Sequence, residues 1–360
     1  MHKRYFAAPA LLAGAALALS GCASTPTSNT GTEGDLRVVA TTTQIADFTR
    51  SVVGDAEGVS ITQLVQPNQS LHSYDPSAAD LTALGAADVL VINGVDLEEW
   101  LDDAIDASGF DGVTIDSDEG IDIIESEVDD HAGETEAEHA EHADETEEEH
   151  AAEEAAEAAE SEDDEHAHDG GDPHIWTDVS NALTMVGTIA TGLEDASPDA
   201  AADITANAAA YSAQLTELDS WIRTNVETVP AEERLLVSNH DALGYYTAAY
   251  GITYVGAVIP SFDDNAEPSA AAIDELVAAI SATGVQAVFS EASLNPKTAD
   301  TIASEAGVTV YSGDDALYVD SLGPQDSAGD TYLKAQLHNT TLILESWGVT
   351  PTDVPADLEK

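Results

Sequence analysis

One cysteine, Cys22, is the whole thiol content of a chain of 360 residues. An internal disulfide is therefore impossible, and so is a thiolate metal cluster. Positive charge is nearly as scarce. Lys and Arg number 9 against 70 Asp and Glu, a formal charge of −61, and neither occurs between Arg50 and Arg223. Such a surface cannot displace counterions from phosphates, which excludes nucleic acid as a partner, and it does not dock electrostatically on anionic lipid heads. It attracts cations, but weakly and without selectivity, or it serves solubility in a salty habitat where self-repulsion is screened. Long apolar runs are missing too: after Leu19 no stretch is long enough to span a bilayer.

What is present begins at the N-terminus. Lys3 and Arg4 precede a mostly apolar core from Phe6 to Leu19, and Leu19-Ser20-Gly21-Cys22 closes it with small residues. The segment resembles a bacterial lipobox, which implies a signal peptide over 1–21 and lipid attachment at Cys22. A plain secretory signal with a chance cysteine is the alternative. Residues 22–34, rich in Ser, Thr, Pro, Asn and Gly, read as a flexible tether. The mature protein is then extracytoplasmic, held at the cell membrane by its lipid.

Strand and helix signals alternate from there. Leu36–Ala40 reads as a buried strand, Gln44–Val53 as a helix, and Val59–Val65 alternates in the manner of a strand. Helices follow over Ser77–Leu84 and Leu97–Ala107, with strands at Asp88–Ile92 and Val113–Ile115. Beyond Pro230 the same rhythm returns, with strands at Leu235–Val237, Ile252–Val258, Ala287–Phe289 and Val308–Val310. The helices there span Ala242–Tyr250, Ala270–Ala282, Pro296–Ala306 and Asp330–Trp347. The pattern predicts an α/β fold of two lobes, each a small mainly parallel sheet flanked by helices, joined by a long central helix. The boundaries fall at 35–195 for the first lobe, 196–230 for the linking helix and 231–360 for the second lobe.

Between about 125 and 171 the chain is almost wholly Glu, Asp, Ala and His, and includes His131, His139, His142, His150, His166 and His168. With almost no large apolar side chain it cannot offset the entropy of ordering, so a mobile loop is expected.

With that run, the signal segment and His338 set aside, three histidines remain: His72, His174 and His240. Each lies beside turn-forming residues at the expected end of a strand, where ligands of open α/β sheets bind. Three neutral imidazoles and one carboxylate would close a tetrahedron around Zn²⁺ at about 2.0–2.2 Å. By spacing alone the carboxylate could be Asp314, Asp315, Asp320 or Asp326.

Several segments together resemble the cluster A-I (cluster 9) substrate-binding proteins of ABC importers for zinc and manganese. They are His72 before Tyr74-Asp75-Pro76, the Asp172-Pro173-His174-Ile175-Trp176 box, the His240-Asp241-Ala242 turn and the Asp320-Ser321 pair. Phe289-Ser290-Glu291 through Pro296-Lys297, with Ile302–Gly307, matches as well, and the likeness runs from Val38 to about Trp347. The resemblance implies metal ligands His72, His174, His240 and Asp320. Having His rather than Glu at 240 is closer to the zinc branch. Glu291 would either orient a ligand histidine or begin a helix as an ordinary acid. The implied function is capture of Zn²⁺, with Mn²⁺ as the second candidate, between the lobes of a monomer. Delivery would be to an ABC permease with its ATPase, and no catalysis is implied. Competing readings are manganese or iron uptake, a zinc hydrolase and an adhesin. A hydrolase needs an open coordination position and a general base. No His-Glu-x-x-His helix is present, and a fourth ligand closes the shell. For adhesion no residue argues either way.

Overall fold

The structure, a computed structural model, describes residues 35–125 and 171–358. The signal segment, Cys22, the tether and nearly all of the acidic histidine-containing run lie outside the described residues. Among the described residues no helix is long and apolar enough to cross a membrane.

The first lobe is a four-stranded sheet in the order β2-β1-β3-β4, formed by β1 (Leu36–Ala40), β2 (Val59–Gln63), β3 (Val89–Ile92) and β4 (Val113–Asp116). Every pairing is parallel. Side chains of a strand alternate between faces, and here both faces are covered. Val38, Ala40, Val89 and Val91 enter the main core, while Val39 and Leu90 enter a smaller one with Leu64, Leu84 and Leu101. Three helices connect the strands: α1 (Thr43–Val53), α2 (Ala78–Leu84) and α3 (Leu101–Ser108). Thr42 caps α1 by accepting from the Ile45 amide, and Ser77 with Asp80 forms a capping box on α2. Helix α3 starts four residues later than the periodicity predicts, because Val95 and Asp96 adopt positive φ and residues 95–100 form turns.

The turn after β3 depends on Gly94. Its φ is +86°, and a Cβ there would lie 2.2 Å from Asp116 Oδ1 and 2.5 Å from Asp118 Oδ2. Gly94→Ala is therefore expected to destabilise the fold by about 2–3 kcal/mol, from left-handed strain plus overlap. Urea unfolding measures this, and a loss below about 0.5 kcal/mol would contradict the steric argument.

The ends flanking the acidic run meet. Glu125 and Gly171 form an antiparallel bridge, and the Asp172 amide donates to the Ile124 carbonyl at 2.8 Å. Helix α4 (Val179–Ala196) follows, then α5 (Ala201–Val226). At 26 residues α5 is about 39 Å long. It is the linking helix, shorter than 196–230 because Pro198 lies in the turn before it and Pro230 beyond its end. Ile204, Tyr211, Leu215, Leu218, Ile222 and Val226 form its buried stripe.

The second lobe contains β5 (Leu235–His240), α6 (Gly244–Tyr250), β6 (Thr253–Ile259), α7 (Ala270–Thr283), β7 (Ala287–Phe289), α8 (Lys297–Ala306), β8 (Thr309–Tyr311) and α9 (Tyr332–Ser346). Instead of one continuous ladder it has two parallel pairs, β5 with β6 and β7 with β8, with β5 lying beside β7. The main core runs unbroken from Val38 and Ile45 through α4 and α5 to Tyr246, Phe289 and Leu344. A shared core of this kind couples the lobes more tightly than a flexible linker would.

Candidate metal centre

Four segments bring polar side chains to the interface between the lobes, and each is tied down locally. His72 follows β2. Leu71 before it is buried in the core, and its carbonyl accepts from Trp100 Nε1 at 2.9 Å. His174 precedes a 3-10 turn over Ile175–Thr177. Asn93 Nδ2 donates to the Pro173 carbonyl and Tyr245 OH to the Asp172 carbonyl, at 3.0 and 2.9 Å. His240 is the last residue of β5 itself and pairs in register with Ile259, so it lies on the strand rather than in the loop after it. Asp320 sits on a segment held from the first lobe. The Val319 carbonyl accepts from Gln44 Nε2 at 2.8 Å and Trp176 Nε1 at 3.1 Å, and the Leu322 amide donates to Thr43 Oγ1 at 3.0 Å.

His72, His174, His240 and Asp320 converge, each offering one ligand atom, and these atoms all lie within 4.8 Å of one another. The Nε2 atoms of His72 and His240 lie 3.4 and 3.1 Å from Asp320 Oδ2, and His174 Nε2 lies 3.5 Å from Oδ1. His174 Nε2 and His240 Nε2 are 3.4 Å apart. Among the aspartates left open by spacing, only Asp320 belongs to this group. His174, His240 and Asp320 are buried, and His72 keeps 8% side-chain exposure, which makes it the ring nearest solvent.

Two carboxylates set the rings. Asp172 Oδ1 lies 2.7 Å from His174 Nδ1 and also accepts the His174 amide at 3.0 Å. Glu291 Oε1 pairs with His240 Nδ1. An ionised carboxylate only accepts, so in each neutral ring Nδ1 carries the proton and the Nε2 lone pair faces the centre. Glu291 therefore contacts a histidine of the cluster, and it precedes α8 by several residues rather than starting it. Asp172 was visible in the sequence as part of the box around His174, but nothing there distinguished it from the box's other residues. Gly244 explains the close approach of α6: a Cβ there would meet Asp172 Oδ2 at 2.6 Å.

The electrostatics are those of a cation site. Burial pushes the Asp320 carboxyl up, but His240, His72 and His174 more than offset this and hold it well below the usual carboxylate range. Burial disfavours the charged forms of His72 and His240, yet Asp320 outweighs it at both, with help from Glu291 at His240, and both pKa values are raised. Burial raises Glu291 despite its histidine partner. His72 Nε2 and both Asp320 oxygens are buried without a hydrogen-bond partner. Buried polar atoms are normally paired. A divalent cation would take up His72 Nε2 and one Asp320 oxygen together with the other two rings, and the donor set fits Zn²⁺ or another borderline metal.

Residues 38–346 match the family described as zinc-uptake complex component A, periplasmic (ZnuA). The manganese-binding lipoprotein MntA of Halalkalibacterium halodurans is 28% identical over 324 residues, covering 90% of this chain and 92% of that protein. The zinc-binding protein AdcA of Streptococcus pyogenes is 31% identical over 279 residues, 77% of this chain, which spans about half (49%) of AdcA. The periplasmic zinc-binding protein TroA from Treponema pallidum superposes with a TM-score of 0.69 at 25% identity, covering 87% of this chain and 99% of TroA. The chain thus belongs to the ZnuA family, the metal-binding substrate-binding proteins of ABC importers.

Proposed function

We propose that the protein captures Zn²⁺ between His72, His174, His240 and Asp320 outside the cytoplasm and delivers it to an ABC permease driven by its ATPase. The observation that carries this reading is the convergence of three imidazole nitrogens on a carboxylate whose two oxygens are buried and unpartnered. Three imidazoles favour zinc over manganese, which prefers oxygen donors. Four protein ligands close a tetrahedral shell, so the site holds a cargo ion and leaves no position for a reacting water. Lipid attachment at Cys22 would keep the protein beside its permease, a placement in keeping with the lipoprotein names of several relatives. Manganese is the second reading, favoured by the names of relatives such as MntA.

Calorimetric titration of metal-stripped protein separates the two. We expect one tight Zn²⁺ site per chain and displacement of bound Mn²⁺ by an equal amount of Zn²⁺. Mn²⁺ retained against equimolar Zn²⁺ would decide for manganese. Binding requires neutral imidazoles, and His72 and His240 hold protons to higher pH than usual. Affinity should therefore already decline as the pH falls toward the ordinary imidazole value of about 6.5, and steepen below about 6.

A further inference from the structure

The loop that follows β6 closes over the centre from the second lobe. Phe262 places its ring 6.1 Å from that of His174. Two residues on, Asp264 is 6% exposed although both its neighbours, Asp263 and Asn265, are exposed. Its Oδ1 accepts from Ser70 Oγ at 2.8 Å, a contact across the lobe interface between residues 194 apart in sequence. Asn265 Nδ2 donates to the same oxygen at 2.6 Å and lies 3.4 Å from Ser70 Oγ.

Ser70 has a second task. Its hydroxyl accepts from the Ser73 amide at 3.3 Å, so one oxygen both closes the turn around His72 and donates to Asp264. The other end of the His72 loop is fastened by the Asn68 amide, which donates to Ser321 Oγ at 2.9 Å, next to Asp320. Asp264 Oδ2 is buried with no hydrogen-bond partner, an arrangement that costs stability. The groups it senses electrostatically include Asp320, His72 and His240, so positive charge at the centre would compensate it. His72 is the member of the cluster nearest solvent, and the turn that carries it is the one Ser70 closes.

We propose that Asp264 is a positioning residue that latches the His72 turn through Ser70 and sets the rate at which the bound metal is released. This rests on the metal-binding reading of His72, His174, His240 and Asp320. The latch acts on escape more than on encounter, because the other three ligands stay anchored while it opens. Docking of a permease that pulls the 260–269 loop away would release the ion without moving the shared core.

The test loads the full chain with Zn²⁺ and follows release into an excess of chelator by stopped flow. Asp264→Ala and Ser70→Ala are each expected to speed release about tenfold or more, the range of a hydrogen bond to a charged group, with association nearly unchanged. Their combination should be no faster than the faster single variant, since both open the same contact. Asp264→Asn keeps an oxygen for Ser70 and should stay within about threefold of the parent protein. Release by Asp264→Ala within about twofold of the parent overturns the latch. So does a double variant whose effects multiply, or an Asp264→Asn variant as fast as Asp264→Ala beside an unaltered Ser70→Ala. A parent protein that binds neither Zn²⁺ nor Mn²⁺ overturns the metal reading and the latch with it, which distinguishes the two failures.

Discussion

Asp320→Ala is expected to lower metal affinity on the order of a thousandfold, beyond the 10–100-fold typical of groups that only support a ligand. Asp320 is the one anionic member of the cluster, and its oxygens lie within 3.5 Å of all three Nε2 atoms. Without it, three neutral imidazoles must bind a divalent ion in a buried pocket with no anionic ligand, the remaining carboxylates Asp172 and Glu291 being held on the far side of the rings. The metal-free protein should respond as well. The raised pKa of His240 means its proton stabilises the fold fully below the ordinary value of 6.5, and this contribution is lost as pH rises through the folded value. The depressed pKa of Asp320 supplies stability above the ordinary 3.8, lost as pH falls. Asp320→Ala removes the overlap of the two, so metal-free stability should drop most between about pH 4 and 6.5. Parallel calorimetry and urea unfolding measure both effects. Zinc affinity within tenfold of the parent would remove Asp320 from the ligand set.

Glu98→Gln should act in the opposite direction and stabilise the protein at alkaline pH. Glu98 is buried at the carboxyl ends of β1 and β3, where its Oε1 accepts from Thr41 Oγ1 at 2.5 Å and the Asn93 amide at 2.8 Å. Burial is the main cause that pushes its pKa up to about 7, ahead of these hydrogen bonds, which oppose it. A carboxyl raised in the folded state binds its proton more tightly there than in the unfolded chain. Stability is then greatest below the ordinary value of 4.5, falls as pH climbs to about 7, and levels off above. Asp47, raised mainly by burial to about 6, adds to the same slope at lower pH. Glutamine keeps an oxygen for both donors but cannot ionise. At pH 8 the variant should gain about 2–3 kcal/mol, and at pH 4 almost nothing. Equal gains at both pH values would show that ionisation of Glu98 is not the cause.

Much of the fold could be read from periodicity. Both faces of β1 and β3 are buried, so Leu36–Ala40 and Val89–Ile92 are near-continuous apolar runs, and their boundaries matched within a residue. Prediction failed where side chains gave no period. The turns at 95–100 delay α3 because Val95 and Asp96 take positive φ, which no local signal announced. The absence of a ladder joining β5 to β7 is likewise a matter of how two lobe halves meet, since both strands are apolar.

Within the site, the three histidines stand out because the chain has few other histidines of any structural promise, although only His240 ends a strand: His72 lies nine residues past β2 and His174 directly before a 3-10 turn. The aspartate was different. Asp314, Asp315, Asp320 and Asp326 are equivalent by spacing, and family resemblance alone favoured Asp320. The fold makes the choice by pinning Val319 and Leu322 to Gln44, Trp176 and Thr43, residues far away in sequence.

By itself, then, the sequence determined the scarcity of thiols and cations, the α/β rhythm and a trio of histidines set apart from the acidic run. These follow from composition and local periodicity, which act over a few residues. Tertiary structure alone decided that Asp320 joins them, that Asp172 and Glu291 orient the rings, and that Asp264 reaches Ser70. Each of these depends on charges brought together from distant segments and buried, where a lost or gained partner carries far more weight than it does in water.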